Sequence, residues 1–221
     1  MYKTVLKLIG TEYPLTEKDV GSFNNIEAAG LEFDIHSYDA KGLGVISTMR
    51  AVHKSFPMTM TSIIVNPFEI DAPLVSHDRV TAMGNETVII EPYNTLLGNS
   101  FKTAGMEEIK DAFSFIPETE SKELWYDSLR LNGTVSKKGD ASLKSLFDEL
   151  VIKYFAAYLE EVKKAPACDK AEKIKKASVY TEGLLSRGGP ATDPFMKDFG
   201  TEKTKELFRN YLFGTGENEG K

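Results

Sequence analysis

The segment "DAPLVSHDRV", Asp71 to Val80, sets a histidine and an aspartate side by side at the start of a β-branched run. Imidazole titrates near neutrality, and a carboxyl does so once its surroundings raise its pKa, so His77 and Asp78 are the first candidates for handling protons. A carboxyl partly buried against a sheet meets that condition and can donate a proton near neutral pH. Side chains alternate along a strand, so His77 and Asp78 are expected on opposite faces, with at most one of them in a given pocket. The competing reading is local: Asp78 forms a turn or bonds Arg79 at the surface. Other chemistries have less to stand on. His36, His53 and His77 lack the spacing of metal ligands, and Cys168 has no second thiol. "KGLGV" lacks the lysine and the following helix of a phosphate loop, and scattered serines with one cysteine define no nucleophilic triad.

The elements that would position these residues follow from periodicity. Leu31, Phe33 and Ile35 alternate with Glu32, Asp34 and His36, which predicts a strand with one buried face. "VISTMRA", "FPMTMTSIIVNP", "RVTA" and "TVIIEPY" continue as strands, the last two joined by a turn at Met83 to Glu86. Connections this short require an antiparallel meander. From residue 100 onward the period becomes helical. One helix opens at a Ser142 cap and puts Leu143, Leu146, Phe147, Leu150, Tyr154, Phe155 and Leu159 on one face to cover the sheet. A second runs through "CDKAEKIKKASVYTEGLLSR" to Gly188 and Gly189, and a third is capped by Thr201. Strands followed by helices predict an α+β layered domain, with residues 1–30 irregular and the tail from 216 to 221 disordered.

A chain of 221 residues, 41% apolar and 27% charged, suits one compact domain. It has no apolar run of signal-peptide or membrane length and a single cysteine, so a soluble, cytoplasmic protein is expected, with no membrane partner. A formal net charge of −6 and a pI near 5.3 argue against nucleic acid as a partner. One basic cluster stands apart, with Lys163, Lys164, Lys170, Lys173, Lys175 and Lys176 partly offset by Glu160, Glu161, Asp169 and Glu172. It reads as a solvated helix face or as a docking surface for an acidic partner.

Two segments carry a resemblance. From Met60 to Val80, a hydrophobic strand is followed by Pro73-Leu74, three variable residues and Asp78-x-Val80. Near the C-terminus stand Asp193-Pro194, Phe199-Gly200 and Tyr211-Leu212-Phe213. In these features the chain resembles the ferredoxin-dependent bilin reductases, whose distant relatives include the red chlorophyll catabolite reductases. The order of elements agrees from about residue 25 to 215, which implies a single domain over that range preceded by an extension at 1–24. The resemblance implies a three-layer α/β/α sandwich with a central, mainly antiparallel sheet.

It also implies an activity: stepwise single-electron reduction of a linear tetrapyrrole such as biliverdin, each electron coupled to a proton from the protein. No cofactor is implied in the protein itself, and reduced ferredoxin or flavodoxin is the implied external donor. By this resemblance Asp78 is the central proton donor and Asp193 a second. Thr61 stands where some members place a histidine, which shifts the protonation burden to the aspartates. Met49, Met58, Met60 and Phe56 would wall the pocket, Arg50 and Arg79 would meet the propionates, and His77 would contact substrate. Two alternatives stay open: a tetrapyrrole carrier that has lost the chemistry, or an enzyme of this fold with another substrate.

Overall fold

In the computed structural model, which describes residues 1–119, 123–189 and 192–216, the chain opens on helix α1 (Tyr2–Glu12) and strands β1 (Leu15–Lys18) and β2 (Ile26–Ala28). The expectation of an irregular start is corrected here. Val5 and Ile9 are the buried residues of α1, a stripe too narrow to announce itself, and no side chain caps its start. Residues 1–24 thus supply a helix and a strand that pairs with the next long one.

The meander is as expected: β3 (Leu31–Ala40), β4 (Gly44–His53), β5 (Met58–Pro67), β6 (Leu74–Ala82) and β7 (Asn85–Tyr93) pair in sequence, each antiparallel. Met83 and Gly84 join β6 to β7 with φ of 51° and 77°, the positive pair that a two-residue hairpin turn demands. Helix α2 (Ala104–Ala112) and strand β8 (Val135–Asp140) follow, and β8 extends the sheet beyond β7. That strand corrects the wholly helical reading after residue 100. Its "VSKKGD" carries lysines and a glycine, the marks of a short edge strand, and little apolar alternation.

Helix α3 (Lys144–Val162) buries Phe147, Leu150, Tyr154, Phe155 and Leu159, the expected face. Its approach differs: Asp140, not Ser142, is the cap, accepting from the Ser142 amide at 2.8 Å over a 3-10 turn. Helix α4 (Lys170–Arg187) is capped by Asp169 and stops at Gly188 as expected. Helix α5 (Thr192–Glu206) starts before the expected Thr201 and breaks at Gly200 (φ 77°, ψ 174°), and a π-helical turn (Leu207–Leu212) completes it. The tail from 217 lies outside the described residues, while the Gly216 amide still donates to Arg209 O at 2.9 Å.

The strand order is β1-β3-β4-β5-β6-β7-β8, with β2 also against β3. Residues of α1, α2 and α3 share one core with Ile63, Val65, Val75, Val88 and Ile90. Tyr180, Leu184, Phe195 and the π-helical turn share the other with Phe33, Ile35, Met49, Ile64, Leu74 and Tyr93. Ile63 and Ile64 belong to different cores, as do Leu74 and Val75, so both sheet faces are covered. The protein is an α+β, three-layer α/β/α sandwich around an antiparallel sheet.

A row of side chains seats the last element. Lys18 Nζ donates to Asn210 O at 3.3 Å, Ser37 Oγ to Tyr211 O at 2.8 Å, Ser47 Oγ to Leu212 O at 2.8 Å, and Asn66 Nδ2 to Phe213 O at 2.7 Å. Lys18 opposes Ser37 and Ser37 opposes Ser47, so the row runs across one sheet face. Carbonyls at a helix C-terminus have no partner within the helix, and this row supplies them.

Lys173 departs from the solvated-face reading of the basic cluster. It is wholly buried, its Nζ donating to Asp71 Oδ1 at 2.9 Å and Thr95 O at 2.7 Å. The Asp71 carboxylate also accepts from the Leu97 and Gly98 amides. Burial works to raise the Asp71 pKa, but these donors prevail and hold it below the usual range. Replacing Lys173 with Met strands that carboxylate and should cost about 3–5 kcal/mol. The urea midpoint should fall at unchanged slope. An unmoved midpoint would show that the amides alone hold Asp71.

Candidate functional site

Register decides which predicted residues meet. Across β5 and β6, Ser62 opposes Asp78, Thr61 opposes Arg79, Met60 opposes Val80 and Ile63 opposes His77. Opposed residues share a face, so Asp78, Ser62 and Met60 look toward α4 and α5, and Met49, opposite Ser62, joins them. Thr61, Arg79, His77 and Arg50 look the other way. The expected separation of His77 from Asp78 is what the structure has. Thr61, however, is not the neighbour of Asp78: a shift of one residue reverses the face, and Ser62 occupies that place.

The residues on the far face are already engaged. Arg79 is buried, its guanidinium shared by Glu86 and Asp148, with Nε 3.0 Å from Glu86 Oε2 and Cζ 5.9 Å from the centre of the Phe147 ring. It therefore does not bond Asp78, and its guanidinium is spent on the opposite face of the sheet. Arg50 is exposed and lines a surface cleft with Glu27, Glu32 and Asp34. His77 is fully buried, with Nδ1 3.2 Å from Ile89 O and its ring 6.2 Å from that of Phe155. A carbonyl only accepts, so Nδ1 carries the proton, and burial pushes the imidazole pKa down to about 4. This makes it a neutral core residue, not a substrate contact. Phe56, exposed at the β4–β5 hairpin tip, stands edge-on to His53.

The near face carries a polar cluster ringed by aromatics. The Ser62 hydroxyl donates to Asp78 Oδ1. Burial pushes the Asp78 carboxyl up to about 6, with Ser62 opposing and Glu91 reinforcing the rise. Glu91 opposes Ser76 and so faces the same way as Asp78. It accepts from the Tyr93 hydroxyl and pairs with Arg130 NH2 at 2.5 Å. Arg130 also meets Asp127 at 2.7 Å and lies 5.4 Å from the centre of the Tyr126 ring. Tyr93 stacks on Tyr180 at 4.1 Å, Tyr126 stands edge-on to both, and Trp125 stands edge-on to Tyr126 at 5.2 Å. Burial lifts the Tyr126 phenol to about 12 and those of Tyr93 and Tyr180 upward as well, so all three are neutral donors.

Asp193 lies elsewhere in this arrangement. It is exposed, accepts from the Gly189 amide at 3.1 Å and closes the turn that starts α5. Sequence reasoning missed Glu91, Arg130 and the three tyrosines. Glu91 did leave a signal, a lone acid inside the apolar run "TVIIEPY", whereas Arg130 sits in a loop with no periodicity. Among the described residues no three of His, Cys, Asp and Glu converge as metal ligands. What the arrangement can do is hold a proton on a carboxyl up to about pH 6, well above the usual carboxylate range, and release it to a group lying over the sheet.

The fold is similar to that of tomato phytochromobilin synthase, seen in a crystal structure with biliverdin: TM-score 0.74 at 14% identity, covering 100% of this chain and 86% of that one. No family model and no curated protein matches the sequence.

Asp78 and His77 give stability opposite pH slopes. Between about pH 3.8 and 6 the folded protein holds the Asp78 proton that the unfolded chain releases, so this contribution falls as pH rises. Between about 4 and 6.5 the unfolded chain binds a His77 proton that the folded protein refuses, so that contribution rises with pH. Urea unfolding curves should therefore show Asp78→Asn gaining roughly 2 kcal/mol relative to wild type from pH 4 to 6.5, and His77→Gln losing a similar amount. Parallel profiles in the two variants would sink this assignment.

Proposed function

We propose that this protein is a bilin reductase: it binds a linear tetrapyrrole between the sheet and the α4–α5 layer and reduces it with protons from Asp78. The observation that carries this reading is the Asp78 carboxyl, set among Tyr93, Tyr126 and Tyr180 where burial pushes its pKa up to about 6, in a fold like that of a biliverdin-bound synthase. Aromatic rings stack on pyrroles, and a neutral carboxyl beside a pyrrole nitrogen or carbon can protonate it as an electron arrives.

Reducing one double bond takes two electrons and two protons. A reduced ferredoxin or flavodoxin supplies the electrons singly. Asp78 gives one proton, is recharged from solvent and gives the next. The proton role falls to Asp78, because Asp193 is exposed and bonded within its own turn. An acidic donor protein would be met by exposed Lys170, Lys175 and Lys176 on α4, whereas Lys163 and Lys164 are paired with glutamates.

The test is to mix the protein with biliverdin anaerobically, record the visible spectrum, then add reduced ferredoxin. A shifted bound spectrum that moves again only with reductant is expected, and absence of binding overturns the reading. Asp78→Asn should keep binding while slowing reduction by about 10²–10⁴-fold. Binding without any reductant-dependent change in the wild type would make the protein a carrier.

A further inference from the structure

Asp78 shares its sheet face with a second carboxylate, and the donors around the two are divided unequally. Asp78 opposes Ile89 and Glu91 lies two residues along β7, a diagonal of about 7–8 Å between Cα atoms. Glu91 is 7% exposed, with Arg130 on Oε1 and the Tyr93 hydroxyl on Oε2. Both of its oxygens are thus occupied, one by a cation. Asp78 is given an uncharged donor, the Ser62 hydroxyl, on Oδ1. Two carboxyls this close in a largely buried site resist being charged together, and the one holding the cation keeps the charge.

We propose that Glu91 is a positioning residue for proton donation: paired with Arg130, it takes the negative charge of the carboxyl pair and leaves the proton on Asp78. This rests on the reading of Asp78 as proton donor. The groups that face Asp78 are consistent with it. Ser76 flanks it on β6, Ser62 comes from β5, Glu91 and Tyr93 from β7, Tyr126, Asp127 and Arg130 from the segment before β8, and Tyr180 from α4. The phenols are neutral, and although Arg130 is shared between Asp127 and Glu91, it is the Glu91 charge that acts to raise Asp78. Burial alone would also disfavour charge on Asp78, but without choosing which of two carboxyls carries the proton. The Arg130–Glu91 pair makes that choice.

The experiment is a carbon-13 NMR titration of aspartate and glutamate carboxyls in the ligand-free protein, with the Asp78 signal assigned by its loss in Asp78→Asn and the Glu91 signal by its loss in Glu91→Asp. Glu91→Gln keeps the shape of the side chain and removes its charge. It should raise the Asp78 acid dissociation constant by about tenfold, and the Arg130 charge it frees acts in the same direction. An unchanged Asp78 midpoint in a folded Glu91→Gln protein overturns the proposal. If that variant does not fold, the wild type decides: its Glu91 carboxyl signal has to be in the charged form at pH values where Asp78 still holds its proton, and the reverse order overturns the proposal. Because no ligand is present, the result stands apart from whether biliverdin binds.

Discussion

Four consecutive main-chain carbonyls, those of Asn210 to Phe213, are held by side chains from β1, β3, β4 and β5, and the placement of the C-terminal layer depends on that row. A buried carbonyl left without a donor costs about 1–3 kcal/mol, so the row decides where the π-helical turn can lie. Its effect on the site is indirect. The donors stand on one half of the sheet, up to β5, while Asp78 and Glu91 stand on β6 and β7. There the layer meets the sheet through aromatic rings, Tyr180 on Tyr93 above all. One half of the interface is fixed by directional bonds, and the other, where the proton-bearing carboxyl lies, by stacking together with the buried Lys173 bonds at the strand ends.

Three consecutive residues on β6 show how a sheet covered on both faces treats ionisable groups. His77 and Asp78 each lack an ionic partner, and desolvation drives both to their neutral forms, moving the base down and the acid up. Arg79 cannot give up its charge, and two carboxylates, Glu86 and Asp148, accompany it into the core. The same burial therefore yields an inert imidazole, a structural ion cluster and a usable acid, according to what each face provides.

The long strands and the two long helices were legible because their faces are covered along their whole length, and burial on one side writes a period into the chain. Helix α1, α2 and β8 were not, since each buries few residues and leaves little pattern. Asp78 was found through its place in a motif beside a strand, and the alternation rule correctly parted it from His77. Thr61 and Arg50 were misplaced because pairing register, which decides the face across strands, is a property of two strands and is not written in either alone, whereas Arg79 is parted from Asp78 by the same alternation that parts His77. Glu91, Arg130 and the tyrosines come together from β7, a loop and α4, so no local pattern announces them.

The seat of the C-terminal turn has a bearing on descent. Ser37, Ser47, Asn66 and Lys18 bind oxygens that every residue possesses, so they place no demand on the side chains at positions 210 to 213 beyond what packing asks. Substitutions there can accumulate while the path of the chain is kept, and the record of that path is held instead by a few small polar residues on the opposing sheet. Comparison letter by letter will see such a segment drift; its course through space need not change at all.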